Sequence, residues 1–404
     1  VLAWAWRPPH GGRVDQVRIM RGVVHVATMA PPDPDAPGWE HGTMFALEAS
    51  TGRVIASRVL ADPVPVAALS IDHGVLHVVA TRRDEPIFVY ELGAFDLRPR
   101  RRSRIELDDE QREDVLDAWH GPQGGTWLEV EGRAGRARSY AFAAEGPVVV
   151  RGQTFTDDVQ TLSWGAPARD ACTDGLALFA PSSRGATDDA AGPAVYRLVA
   201  QGAGADAGEG PQAWARFDVR GPSAQAHALA AEGTVHAIAA ARDDEKDDRA
   251  VVQALAVDRA SGVVRWSTAV ERLPLRGSLG EAARLARRPN GELLFQRVGA
   301  EGAPCSDLLR VRTDGSSEVL PLGGAHRFVL DAALGELVLA HRELADGRVL
   351  VAGFKIDGSV PLLGARGSMV WSVETPDLGG STTVYAGAGH VIARGRSAVV
   401  GIRF

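Results

Sequence analysis

Cysteine is scarce in this chain. Cys172 and Cys305 allow one disulfide or none, and no C-x-x-C spacing offers a zinc site. Lys246 and Lys355 are the only lysines, and Asn290 is the only asparagine. An arginine-rich, lysine-poor composition is not the usual thermophile signal and reads as coding bias. No run of about 18 apolar residues occurs, so no membrane-spanning helix is expected. The net charge is −7, which argues against the basic stripe of a nucleic-acid binder. The P-loop, G-x-S-x-G, H-E-x-x-H and dinucleotide signatures are missing from their required contexts. No long stretch repeats apolar residues at helical spacing. The best helical candidate, "DEQREDVLDAW" (109–119), is short.

What is present is repetition. "FALEASTGRVIAS" (45–57) returns as "LAVDRASGVVRWS" (255–267) without a gap. Each copy reads as two β-forming runs around a glycine turn, a hairpin. A glycine turn and strand precede each copy, "RGVVHVATM" (21–29) and "EGTVHAIAA" (232–240). That strand recurs at 73–81, 290–298, 334–342 and 388–396. A chain of 404 residues exceeds the roughly 250–300 at which one core stops growing. Strand units at regular spacing resolve this by forming a radial array of small sheets with short, protected edges. The expected fold is therefore all-β, an eight-bladed β-propeller in one domain, 1–404. The units run over 14–60, 64–107, 114–155, 161–219, 223–270, 275–322, 325–367 and 378–404. The N-terminal "VLAWAWRP" (1–8) resembles "VVRWS" and completes and closes the last unit. Seven blades is the alternative, because 114–219 spell the repeat weakly.

The hairpins and the G-x-V-H-V strands resemble the repeat of pyrroloquinoline-quinone-type β-propellers. That superfamily includes quinoprotein dehydrogenases and the propeller lipoprotein of the outer-membrane β-barrel assembly machinery. The resemblance implies the fold, and it implies an exported bacterial protein, periplasmic or extracellular. A lipid anchor through a removed segment upstream of Val1 is part of that expectation. The quinoprotein dehydrogenases carry adjacent cysteines near the cofactor, and this chain has none. The assembly-subunit branch is therefore preferred, with no cofactor.

Candidate chemistry is thin. His25, His77 and His236 occupy equivalent strands of different units, so they are expected to be spread apart as core residues. Cys172 and Cys305 are expected on opposite faces as free thiols. "HGPQGGTWLEV" (120–130) half-matches a sialidase Asp-box. The long B–C loops are acidic or proline-rich, while "RPRRRSR" (98–104) is placed at a C–D turn on the other face. Such two-sided charge steers partners.

The expected function is a non-catalytic protein-binding scaffold within a larger cell-envelope assembly. Its partner-binding residues are Trp39, Asp188, Asp189, Asp243, Asp244, Asp247 and Asp248. A Ca²⁺ site at Asp243, Asp244, Asp247 and Asp248 is the weaker reading, because the run lacks the glycine and final glutamate of an EF-hand loop. The alternative is an enzyme of quinoprotein, lyase or glycosidase type with an axial site. It would rest on the few charged residues of the first strands: Asp15, Arg18, Asp72 and Glu232.

Overall fold

The computed structural model describes residues 1–30, 42–62, 65–72, 74–80, 86–105, 115–121, 125–131, 137–143, 153–154, 159–161, 176–181, 194–200, 212–219, 223–231, 234–242, 249–258, 263–274, 282–288, 290–298, 308–320, 328–334, 336–355, 369–387 and 389–403. Apart from one 3-10 turn, Pro9–Gly11, the regular structure among them is strand.

The strands form eight four-stranded antiparallel sheets. In chain order the first sheet holds Arg13–Met20, Val23–Met29, Gly42–Glu48 and Val54–Val59. The second holds Val66–Asp72, Val75–Ala80, Ile87–Gly93 and Pro99–Ile105. The third holds Val115–Gly121, Gly125–Glu131, Ala137–Ala143 and Gln153–Thr154. The fourth holds Val159–Thr161, Leu176–Pro181, Ala194–Ala200 and Gln212–Val219. The fifth holds Ser223–Ala231, Thr234–Arg242, Arg249–Asp258 and Val264–Pro274. The sixth holds Ala282–Arg287, Leu293–Val298, Leu308–Val311 and Ser317–Leu320. The seventh holds Val329–Leu334, Leu337–Glu343, Val349–Lys355 and Met369–Thr375. The eighth takes Thr383–Gly387, His390–Arg394 and Val399–Ile402, and its fourth strand is Leu2–Trp6 from the other end of the chain.

The chain divides into two compact units. Unit 1 is Val1–Thr154, Glu343–Leu350 and Val373–Phe404; unit 2 is Phe155–Arg342 and Val351–Ser372.

Three readings need correction. The helical candidate ends in strand, because Val115–Gly121 pairs antiparallel with Gly125–Glu131; cross-strand pairing overrides a weak local helix preference. The basic run is not a turn. Its turn lies just before it at Ala94–Leu97, and Pro99–Ile105 is the fourth strand of the second sheet, Tyr90 opposite Arg102 and Glu91 opposite Arg101. The fourth strand of the seventh sheet, Met369–Thr375, lies past residue 367.

One register position explains how fourth strands pack. Trp4 faces Gly401, Trp266 faces Ala256, and Trp371 lies over Gly353. A large side chain on the fourth strand thus meets a small one on the third. A β-carbon at Gly401 would lie 2.2 Å from Trp4 Nε1, so only glycine fits beneath this indole. The same position in two other sheets holds ion pairs of opposite sense, Arg101 with Glu91 and Glu318 with Arg310. In the first sheet it holds Ala56 opposite Ala46.

Trp4 also reaches the first sheet. Its Nε1 donates to Ala49 O at 2.8 Å, and its ring covers Gly52, whose φ is +70°. The turn of the second sheet repeats this hydrogen-bond pattern: Gly52 N donates to Glu48 O and Leu97 N to Gly93 O. Leu97 therefore stands where Gly52 stands, at φ +53°, and is buried in a cluster against which Ala56 packs. At one junction of unit 1 the strand supplies the bulk; at the next the turn supplies it. Fully buried Leu69, Leu76, Leu92 and Leu97 in this cluster each contribute roughly 1.5–3 kcal/mol of apolar burial.

His25, His77 and His236 lie on second strands of the first, second and fifth sheets and are 1%, 3% and 5% exposed. His25 Nε2 donates to Ala94 O in the second sheet's turn. Burial pushes the His25 imidazole below its ordinary 6.5, and the bond to Ala94 only partly opposes this. The folded chain holds His25 neutral while the unfolded chain protonates below about 6.5. Its contribution to stability is present above that value and is lost as pH falls from there toward the lowered folded value. Urea melts at about pH 7.5 and pH 5 should show a smaller acid loss for His25→Gln, which stays uncharged. Equal losses in both proteins would remove His25 from the acid response.

Candidate functional site

The expected partner residues Trp39, Asp188, Asp189, Asp243, Asp244, Asp247 and Asp248 lie outside the described residues, as do Cys172, Cys305 and Glu232. The structure therefore brings other groups forward.

On the first strands, the described charges are engaged. Arg18 Nε donates to Leu69 O, 3.0 Å away on the first strand of the second sheet. Asp15 accepts from Arg13 Nε at 2.7 Å, and its own carbonyl accepts from Arg394. In unit 2, Asp331 Oδ2 lies 2.7 Å from His341 Nδ1, both side chains buried. Among the described residues, no three His, Cys, Asp or Glu side chains gather as a metal site.

Among the described residues, the strongest concentration of positive charge is the arginine strand. Arg100, Arg102 and Arg104 alternate to solvent, while Arg101 turns inward and is half-buried. The ladder explains this. Glu91 pairs with Arg101 but Leu92 pairs with Pro99, so Arg100 is an extra residue, a β-bulge. Other fourth strands bulge at the same place, with Ala3, Ile55 and Arg265 as the extra residues.

Arg102 is fixed by Asp62. Its Nε donates to Asp62 Oδ2 at 2.8 Å, and its Nη2 donates to Oδ1. The Tyr90 hydroxyl donates to the same carboxylate and accepts from the Asp62 amide at 3.0 Å. The guanidinium also lies 5.1 Å over the Phe88 ring. Burial and the Asp62 carboxylate push the Tyr90 phenol well above its ordinary range, which keeps it a donor. Burial likewise raises the Glu91 carboxyl, against the pull of Arg101 and Arg100. Arg98 pairs with Asp96 at 3.3 Å on the exposed turn. Sequence reading found these arginines but placed them at a turn, because nothing in their own residues marks a strand. The signal lies in the partner "IFVYELG".

A second charged cluster is buried in unit 2. Glu292 accepts from Arg288 Nη1 and Arg310 Nη2, both at 2.7 Å, and Arg310 and Arg312 both reach Glu318. Arg288 also donates to Glu336 O at 3.2 Å. Burial opposes the charge of Glu292, but the arginines, Arg310 foremost, hold its carboxyl below the ordinary value. Next to it, Gln296 donates to Phe328 O and accepts from Leu330 N. These groups staple the sixth sheet to the seventh.

No family model matches the sequence, and no curated protein matches it. Solved structures do resemble the fold. BamB from Moraxella catarrhalis aligns with 100% of this chain and 99% of its own, at 10% identity and TM-score 0.53. A europium-containing methanol dehydrogenase aligns over 99% of this chain and 85% of its own, at 11% identity and TM-score 0.52. The quinohemoprotein alcohol dehydrogenase from Comamonas testosteroni aligns over 99% and 76%, at 11% identity and TM-score 0.51. The likeness shows the fold alone, an all-β architecture of small antiparallel sheets shared with BamB and the two dehydrogenases.

Proposed function

We propose that this chain is a non-catalytic protein-binding scaffold, the propeller subunit of a larger bacterial assembly in the periplasm or at the cell surface. In this reading the eight sheets are eight blades of one closed ring, completed by the pairing of Leu2–Trp6 with Val399–Ile402. The observation that carries it is the engagement of the first-strand charges. Arg18 and Asp331 are each spent on a neighbouring sheet or strand and the Asp15 carboxylate on Arg13 of its own strand, whereas acid–base work at an axis needs groups aimed at a substrate. The match to BamB over nearly the full length of both chains supports the same reading. No cofactor is required by it.

Capture of binders on the immobilised chain, identified by mass spectrometry, tests the proposal. The expected result is one stoichiometric, salt-sensitive protein partner. Neutralising Asp243, Asp244, Asp247 and Asp248 to asparagine should weaken it; unchanged affinity would take those residues out of the interface. Turnover in an activity screen, lost in a folded Arg18→Ala variant, would replace the scaffold with an axial enzyme.

A further inference from the structure

We propose that the arginine strand of the second sheet is a docking edge for an extended acidic protein segment, read by guanidinium groups rather than by strand addition. This rests on the scaffold reading and names the chemistry of a partner.

The fold does not call for these arginines. The strand Pro99–Ile105 and the residue before it carry Arg98, Arg100, Arg101, Arg102 and Arg104. The other seven fourth strands, each with the residue before it, carry Arg53, Arg58, Arg216, Arg265 and Arg272 between them, no more than two in any one strand. Edge protection is already provided by the bulge that this strand shares with others. The same bulge breaks the ladder at Arg100 and makes this edge a poor template for an added strand.

The geometry suits a peptide. Arg102 and Arg104 stand two residues apart on the regular part of the strand, Arg100 at its bulge and Arg98 on the turn before it, and all four are exposed. Alternate residues on a strand are about 6.6–6.8 Å apart. An extended segment with a carboxylate at every second position repeats at the same interval, and carboxylate matches the guanidinium fork. Arg102 is held in place by Asp62 and Phe88. Arg100 has no hydrogen bond or ion pair among the described residues and remains exposed.

The partner is a segment rather than a broad anionic surface. The chain as a whole carries −7, so a membrane or a duplex laid against it meets like charge outside this row. A slender peptide meets only the row.

The test uses the full chain and a short fluorescent peptide with glutamate at every second residue. Controls are the same composition with its glutamates in one block, vesicles of phosphatidylglycerol, and single-stranded DNA of equal charge. The alternating peptide should bind best. Its affinity should fall about tenfold in Arg98→Ser/Arg100→Ser, which touches no buried side chain. It should also fall as salt rises from about 0.05 to 0.3 M. Equal affinity in a variant that melts like the parent would overturn the proposal. So would equal binding of the block peptide, or preference for vesicles or DNA. If a natural partner is captured but the peptide does not bind, only this edge is withdrawn. If the peptide binds at these residues and no natural partner exists, the scaffold reading is the one that fails.

Discussion

Changing Glu292 to alanine should lower unfolding free energy by about 3–5 kcal/mol, a large part of a typical domain's 5–15. The reason is what remains behind. Arg288 and Arg310 are 6% and 9% exposed, and each gives a 2.7 Å hydrogen bond to Glu292. Without the carboxylate, Arg288 keeps among the described residues only the Glu336 carbonyl and Arg310 only Glu318. Two cations then share a buried site with one counter-charge. Urea denaturation followed by far-ultraviolet dichroism measures the loss. Replacing all three residues together by apolar side chains of similar volume should recover most of it, because removing the whole group avoids the stranded charge. A loss below about 1 kcal/mol for Glu292→Ala would mean that the site is wetter than its burial indicates.

Trp4→Ala should cost a similar amount, about 3–5 kcal/mol. Trp4 is 8% exposed, fills the space above Gly401 and Gly52, and donates to Ala49 O. Alanine leaves a cavity in a cluster shared with Val17, Val26, Leu47 and Tyr385, and it leaves the Ala49 carbonyl without this donor. The converse change makes the same point from below. Gly401→Val puts a β-carbon where the indole sits, so Trp4 must leave its place, and the expected loss matches that of Trp4→Ala. The two changes should not add in the double variant, since each removes the same contact. A fully additive double variant would show that Trp4 does not depend on Gly401.

Much of this was legible in the residues. "FALEASTGRVIAS" reads as a hairpin and forms one, Gly42–Glu48 paired with Val54–Val59. The likeness of "VLAWAW" to "VVRWS" has a physical cause: Trp4 and Trp266 hold one register position against Gly401 and Ala256. The spread of the histidines over separate sheets follows from their equivalent places in the repeat. The arginine strand was not legible as a strand. An edge strand with solvent on one face need show no apolar alternation, and five arginines obscure what its partner dictates. The Glu292 cluster was hidden for another reason. Its members come from two strands and the turns beside them, and no local spacing relates Arg288, Arg310 and Glu318. The acidic loop residues that the sequence singled out lie outside the described residues.

The exchange of bulk between strand and turn has a consequence for anyone who would cut and rejoin this chain. Trp4 requires Gly52 in the sheet that follows it, while Ala56 sits with Leu97 in the next. A whole sheet moved to a new place would bring an indole against a leucine, or an alanine against a glycine and an empty space. The transplantable segment is therefore out of phase with the sheet. It begins inside one sheet and ends with the hairpin turn of the next, and chimaeras spliced at that offset should fold where those spliced between sheets do not.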